Sequence, residues 1–158
     1  MVNKERVSEL VVALRSGAWP QTTGRLRKDD NGSASFCCLG VACELALRQG
    51  VGHRIDSLYY SGPQDVSGEV GHRYQLPASA IEWYGFSNSN PLIKILCREL
   101  PANHHAAWCE DCRAEGGVHR NEECDNLIVV AATDANDEYG LDFNQIADGF
   151  ERMYLEGA

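Results

Sequence analysis

This sequence is short of positive charge. Its 158 residues carry 14 Lys and Arg against 23 Asp and Glu, a net charge of −9, and the pI is near 4.9. That balance repels phosphate backbones and anionic lipid, which disfavours non-specific nucleic-acid binding and a membrane-surface role. Long apolar runs are missing too. The opening MVNKERVSEL is charged throughout and lacks the apolar stretch of a secretory leader. No window reaches transmembrane length. There is no internal repeat and no linker long enough to divide domains, so one domain over 1–158 is expected. With 44% hydrophobic and 23% charged residues, global disorder is excluded. Seven cysteines, an odd number without a leader, point to reduced thiols or metal ligands in a cytoplasm.

What is present centres on Gln21–Arg48, QTTGRLRKDDNGSASFCCLGVACELALR. From Phe36 to Leu47 only Glu44 is charged, and small residues recur. A segment apolar on nearly every side belongs inside a protein, which predicts a buried central helix over Cys37–Gln49, capped by Ser35 and stopped by Gly50. Before it, Asp29-Asp30-Asn31-Gly32 is a turn signal, predicting a hairpin of Thr23–Lys28 and Ser33–Phe36.

The flanks read in the same way. Val7, Leu10, Val11 and Leu14 make Asn3–Ser16 an amphipathic helix with Asn3 as cap. Short strands are expected around Arg54–Tyr60 and Glu69–Tyr74, and a short helix over Ala78–Tyr84 behind Pro77. Leu92–Leu100 fits strand and helix alike. The apolar run Leu127–Ala132 is expected to open a helix, and Asn136–Gly140 to turn. Asp142–Tyr154 carries a capping box, Asp142 with Gln145, and an apolar stripe. The expected fold is α+β: a buried central helix packed by the first and last helices, with a small antiparallel sheet.

Pro101–Asp125 differs in character. It is polar and dense in Cys and His, and is read as an inserted loop. Cys109, Cys112, His119 and Cys124 form a C-x2-C-x6-H-x4-C pattern, the soft tetrahedral donor set that zinc prefers. A structural zinc would also supply folding energy to a segment with few apolar side chains. His104 or His105 could take the place of His119, and the competing reading is an acidic loop with incidental cysteines.

Three cations, Arg25, Arg27 and Lys28, precede the N-terminus of the buried helix, where N–H groups and the helix dipole favour an anion. With Gln21, Gly24, Asn136 and Asp137 they make a candidate site for a phosphate-bearing small molecule or nucleotide. The bland alternative is a basic strand edge that discourages pairing. Cys37, at the mouth of the helix, is the candidate nucleophile if the protein is a cysteine- or metal-dependent hydrolase; buried cysteines are otherwise inert core residues. Asp134–Gln145 is no calcium loop, because Tyr139 and Gln145 stand where glycine and glutamate are needed. A basic host protein docked by the acidic surface, and a second copy of the chain, are the other partners the sequence admits.

Ala13-Leu14-Arg15-Ser16-Gly17, Gln21, Gly24-Arg25-Leu26-Arg27 and Phe36-Cys37-Cys38-Leu39-Gly40-Val41-Ala42-Cys43 resemble a family of small uncharacterised proteins carried by bacteriophages and prophages. Leu76-Pro77 with Trp83-Tyr84-Gly85-Phe86, and Asn136-Asp137 with Phe143 and Ile146-Ala147-Asp148, extend the likeness over most of the chain. Pro101–Asp125 falls outside it. The resemblance implies a setting, an accessory phage protein in bacterial cytoplasm. Proteins of that kind counter host defence, in some cases by sequestering nucleotide immune signals.

Overall fold

The computed structural model describes residues 1–62, 70–114 and 124–156. Helix α1, Lys4–Arg15, is capped by Asn3, whose side chain accepts from the Arg6 N–H, and buries Val7, Leu10, Val11 and Leu14. Strands β1, Arg27–Asp30, and β2, Ser33–Phe36, are joined by Asn31 and Gly32 alone. Both turn residues have positive φ, 47° and 84°. That is the demand of a two-residue hairpin turn, and Asn-Gly meets it. The first strand therefore lies later than Thr23–Lys28, with Asp29 and Asp30 in the ladder.

Helix α2, Cys38–Arg48, is the buried centre. Ser35 sits in β2, and Cys37 takes the capping position without a side-chain cap bond. The helix is held from one side by the chain that leads into it. The Leu26 carbonyl accepts from the Cys37 N–H at 3.2 Å and lies against Gly40. A Cβ at residue 40 would stand 1.7 Å from the Leu26 oxygen, so no side chain fits there.

Arg54–Tyr60 is not one strand. Asp56 adopts φ 51° and folds the segment into a hairpin of β3, His53–Ile55, with β4, Leu58–Tyr60. Of Glu69–Tyr74, residue 69 lies outside the described residues, and the rest contributes a single bridge, Tyr59 to His72. Helix α3, Ala78–Tyr84, starts behind Pro77 and ends at Gly85 as expected.

Strand β5, Leu92–Leu96, leads into a 3-10 turn, Cys97–Glu99, and a second 3-10 turn spans His105–Ala107 before the short α4, Glu110–Ala114. The run at Leu127 is then strand β6, Leu127–Ala131, antiparallel to β5, and not the start of a helix. Its Ile128, Val129 and Val130 are β-branched, which favours a pleated strand once a partner is in place. The helix begins at Ala132: α5, Ala132–Asp137, includes Asn136 and Asp137, so the turn is confined to residues 138–140. Helix α6, Phe143–Phe150, carries the reciprocal Asp142–Gln145 capping box and runs into a π-helical turn, Glu151–Leu155.

The molecule is thus α+β, with three separate two-stranded antiparallel sheets among the described residues instead of one small sheet. Helix α1 packs on α2 and α6, and α2 also meets α3 and α5. Strand β5 presses Ile93 onto α6 at Gly149. An aromatic group, Tyr84, Phe86, Phe150 and Tyr154, links the end of α3 to the end of α6 and the π-helical turn. No helix of the described residues is long and apolar enough to cross a membrane.

Replacing Gly40 by Ala is expected to cost about 3 kcal/mol in equilibrium denaturation, since the Leu26 backbone must move to admit one methyl group. A Gly40→Ala protein as stable as the parent would contradict the close approach.

Candidate metal centre

The β5–β6 hairpin has an unusual loop. Its strands pair as far as Leu96 opposite Leu127, and the intervening chain leaves and returns at that point. The ladder is prolonged by the Cys97 N–H donating to Asn126 O at 2.8 Å and the Arg98 N–H donating to Cys124 O at 3.3 Å. These bonds place Cys97 beside Cys124. Trp108 is buried, and α4 begins just after Cys109, so that Cys109 and Cys112 form a knuckle on its first turn.

The Sγ atoms of Cys97, Cys109, Cys112 and Cys124 all lie within 4.8 Å of one another. A tetrahedral site with metal–sulfur bonds of about 2.3 Å sets its sulfurs roughly 3.8 Å apart. Cys109 and Cys124 stand 3.6 Å apart, already at that spacing. The sulfurs also receive the hydrogen bonds that orient thiolates around a cation. The Cys109 N–H donates to Cys97 Sγ at 3.3 Å, and Asn126 Nδ2 donates to Cys109 Sγ at 3.5 Å while also reaching Asp111. Cys97 and Cys112 are buried; Cys109 and Cys124 are half-buried. Four such thiols fit a soft divalent metal.

Their proton affinities are split. Burial pushes Cys109 up, but donation from the Cys112 N–H, the Asn126 amide and the neighbouring thiols outweighs it and brings Cys109 down to about 6. Burial raises Cys97 and Cys112, and in Cys112 the neighbouring thiols add to it. A metal that binds all four must displace protons from the raised pair, so affinity falls as pH falls.

Three of the four sequence-derived ligands, Cys109, Cys112 and Cys124, are brought together. The fourth, His119, lies outside the described residues, as does the His105 side chain. His104 packs edge-on against Tyr139. Cys97 fills the fourth place, a residue the reading confined to 101–125 did not reach. A signal was there: Cys97-x11-Cys109-x2-Cys112-x11-Cys124 is symmetric about the knuckle.

The remaining candidates divide into two places. Arg25, Arg27 and Lys28 line one open cleft of about 490 Å³ together with Asp29, Asp30, Asp56 and Ser57. Arg27 is already engaged. Its guanidinium contacts Asp29 and Glu44, and Glu44 also accepts from the Tyr59 hydroxyl at 2.8 Å and faces Arg54 Nε at 3.2 Å. Hydrogen bonding to Asp29 holds the Arg27 guanidinium above its ordinary range and Asp29 below its own. Arg25 and Lys28 are the exposed cations of the cleft, Arg25 at its rim.

Gln21, Gly24, Asn136 and Asp137 do not line that cleft. Asn136 is 0% exposed, and its amide donates to Thr22 O at 2.8 Å and to Asp137. Gln21 Nε2 donates to Asn136 Oδ1 at 3.0 Å and to Leu141 O at 2.8 Å. The group ties the chain before α2 to the α5–α6 corner. Cys37 is 2% exposed. The Cys38 thiol lowers Cys37 below the ordinary thiol range, helped by the N–H groups of Gly40 and Leu39; the same contact and burial raise Cys38.

A family model described as a domain of unknown function (DUF8296) matches residues 2–154. Neither curated proteins nor solved structures give a match.

Two measurements test the placements. Cys97→Ser should lose bound metal as fully as Cys109→Ser, while His119→Ala retains it, read by metal analysis of purified protein. Asn136→Ala should cost about 3 kcal/mol of stability, because the Gln21 amide and the Thr22 carbonyl lose their buried partner. A cost near zero would remove Asn136 from the structural tie.

Proposed function

We propose that this chain, which belongs to the DUF8296 family, is a zinc-stapled binding protein for a small phosphate-bearing molecule and does no chemistry on it. The observation that carries the metal half is the gathering of four cysteine sulfurs within 4.8 Å at the base of one hairpin loop. Tetrahedral four-thiolate donor sets take zinc or iron. We assign zinc, in a structural role. All four positions of a tetrahedron are filled by protein, so none is left for a water or a substrate. What the metal supplies is a cross-link: Cys97 follows β5, Cys109 and Cys112 belong to the α4 knuckle, and Cys124 precedes β6.

The ligand half is supported by the cleft where Arg25, Arg27 and Lys28 meet Asp56 and Ser57. Arg27 is engaged by Asp29 and Glu44, so among the described residues Arg25 and Lys28 are the cations of the cleft with no ion pair of their own. Asp30 and Asp56 in the same cleft accept hydroxyl groups, which suits a sugar phosphate or nucleotide better than a bare anion. The phage resemblance supplies the biological setting of this reading: a nucleotide signal of host defence held in bacterial cytoplasm. The hydrolase alternative has less support, because Cys37 is buried and the tetrathiolate is closed.

Purified protein should contain about one zinc per chain, and chelation should weaken the β5–β6 end more than α1 or α2. AMP titrated by calorimetry should be recovered unaltered. Arg25→Ala and Lys28→Ala should each weaken its binding by roughly tenfold, the value of one charge-assisted contact. Metal-free, fully folded protein would sink the first half. AMP binding that both variants leave unchanged would sink the second.

A further inference from the structure

Helix α1 carries an apolar residue that the core does not use. Val7, Leu10, Val11 and Leu14 point inward, yet Val12 is 66% exposed. It lines an open groove of about 470 Å³ with Ala13, Ala18 and Trp19, and the groove also includes Glu9 and Arg48. A volume of this size suits a small molecule. The wall of the groove is pre-set. Trp19 packs edge-to-face with Phe36, centroids 5.1 Å apart, and Phe36 is covered in turn by the Arg27 guanidinium at 5.3 Å. The Arg48 guanidinium lies over Trp19, 4.8 Å from the ring centre.

The charges are the informative part. Among the described residues neither Glu9 nor Arg48 has a hydrogen-bond or ion-pair partner, and they do not pair with each other. An apolar lining flanked by one free carboxylate and one free guanidinium matches a molecule with both charges close to an apolar body. We propose that this groove binds a small apolar zwitterion, an α-amino acid with a hydrophobic side chain. Arg48 receives the carboxylate as a planar fork held by the indole, Glu9 receives the ammonium, and Val12 and Trp19 take the side chain. The groove shares no lining residue with the Arg25–Lys28 cleft or the thiol cluster, and touches the cleft only through Phe36, which Arg27 covers.

The test follows the Trp19 indole N–H resonance, assigned with Trp19→Phe, in the full-length metal-loaded protein. The probes are L-leucine, N-acetyl-L-leucine and L-leucinamide. Leucine should saturate with a dissociation constant of about 1 mM or below. The probes lacking the ammonium or the carboxylate should bind roughly three- to fivefold more weakly, as expected for one exposed charge contact. Arg48→Gln should erase the preference for leucine over leucinamide, and Glu9→Gln the preference over N-acetyl-leucine. Val12→Glu should abolish binding with the circular dichroism spectrum and metal content unchanged. A resonance unmoved by leucine at about ten times that concentration overturns the proposal, as does equal binding of all three probes.

Discussion

The backbone of Leu26 rests on the backbone of α2 at Gly40, and the rest of the molecule is arranged by that approach. A helix apolar on nearly all sides must be surrounded, and α1, α3 and α5 cover it in part. The remaining side, at its N-terminal turn, is closed by the chain at Leu26, just before β1. Because Gly40 presents no Cβ, the Leu26 carbonyl can both accept from the Cys37 N–H and exclude water from the first turn. Closing the turn in this way also fixes where Arg25 and Arg27 emerge on either side of the buried Leu26.

The same segment is secured at its other end. Gln21 and Thr22 are bonded to Asn136, a fully buried amide whose donors and acceptor are satisfied within the protein. A polar side chain in that position is costly unless every bond is made, so the tie specifies one arrangement of the chain entry against the α5–α6 corner. On the far side, Glu99 caps the Leu96 N–H after β5 and pairs with Arg152 of the π-helical turn, which reaches Asp148. Arg15 at the end of α1 joins Asp148 and Glu151. The 3-10 turn that holds Cys97 is therefore anchored through Glu99 to the C-terminal π-helical turn, and the thiol cluster is tied to the body of the fold at that point.

Seen from the sequence, the helices were the most legible elements. Val7, Leu10, Val11 and Leu14, the Asp142–Gln145 box, and Pro77 before Ala78–Tyr84 are local signals, and each concerns hydrogen bonds or packing within a turn or two. The strands were less so. Leu127–Ala132 reads as the opening of a helix and Leu92–Leu100 fits strand and helix alike, because the β pairing that decides both is between residues far apart in the chain. The hairpin at Asp56 was hidden for a different reason: residues other than glycine seldom take positive φ, and nothing nearby announced that this one would.

By itself the sequence determined the α+β class, the buried central helix, the Asn31-Gly32 turn, and a cysteine-rich segment suited to a soft metal. Composition, periodicity and short-range spacing were enough, since each rests on forces between neighbours. Only the tertiary structure decided which residues meet. It drew Cys97 into the thiol cluster, because the β5–β6 register carries the end of one strand beside Cys124. It separated Gln21 and Asn136 from the basic cleft, because a buried amide pair was needed to join the two ends of the fold. It also engaged Arg27 with Glu44, leaving Arg25 and Lys28 as the exposed cations of that cleft, because Glu44 lies on the buried helix and needs a counter-charge there.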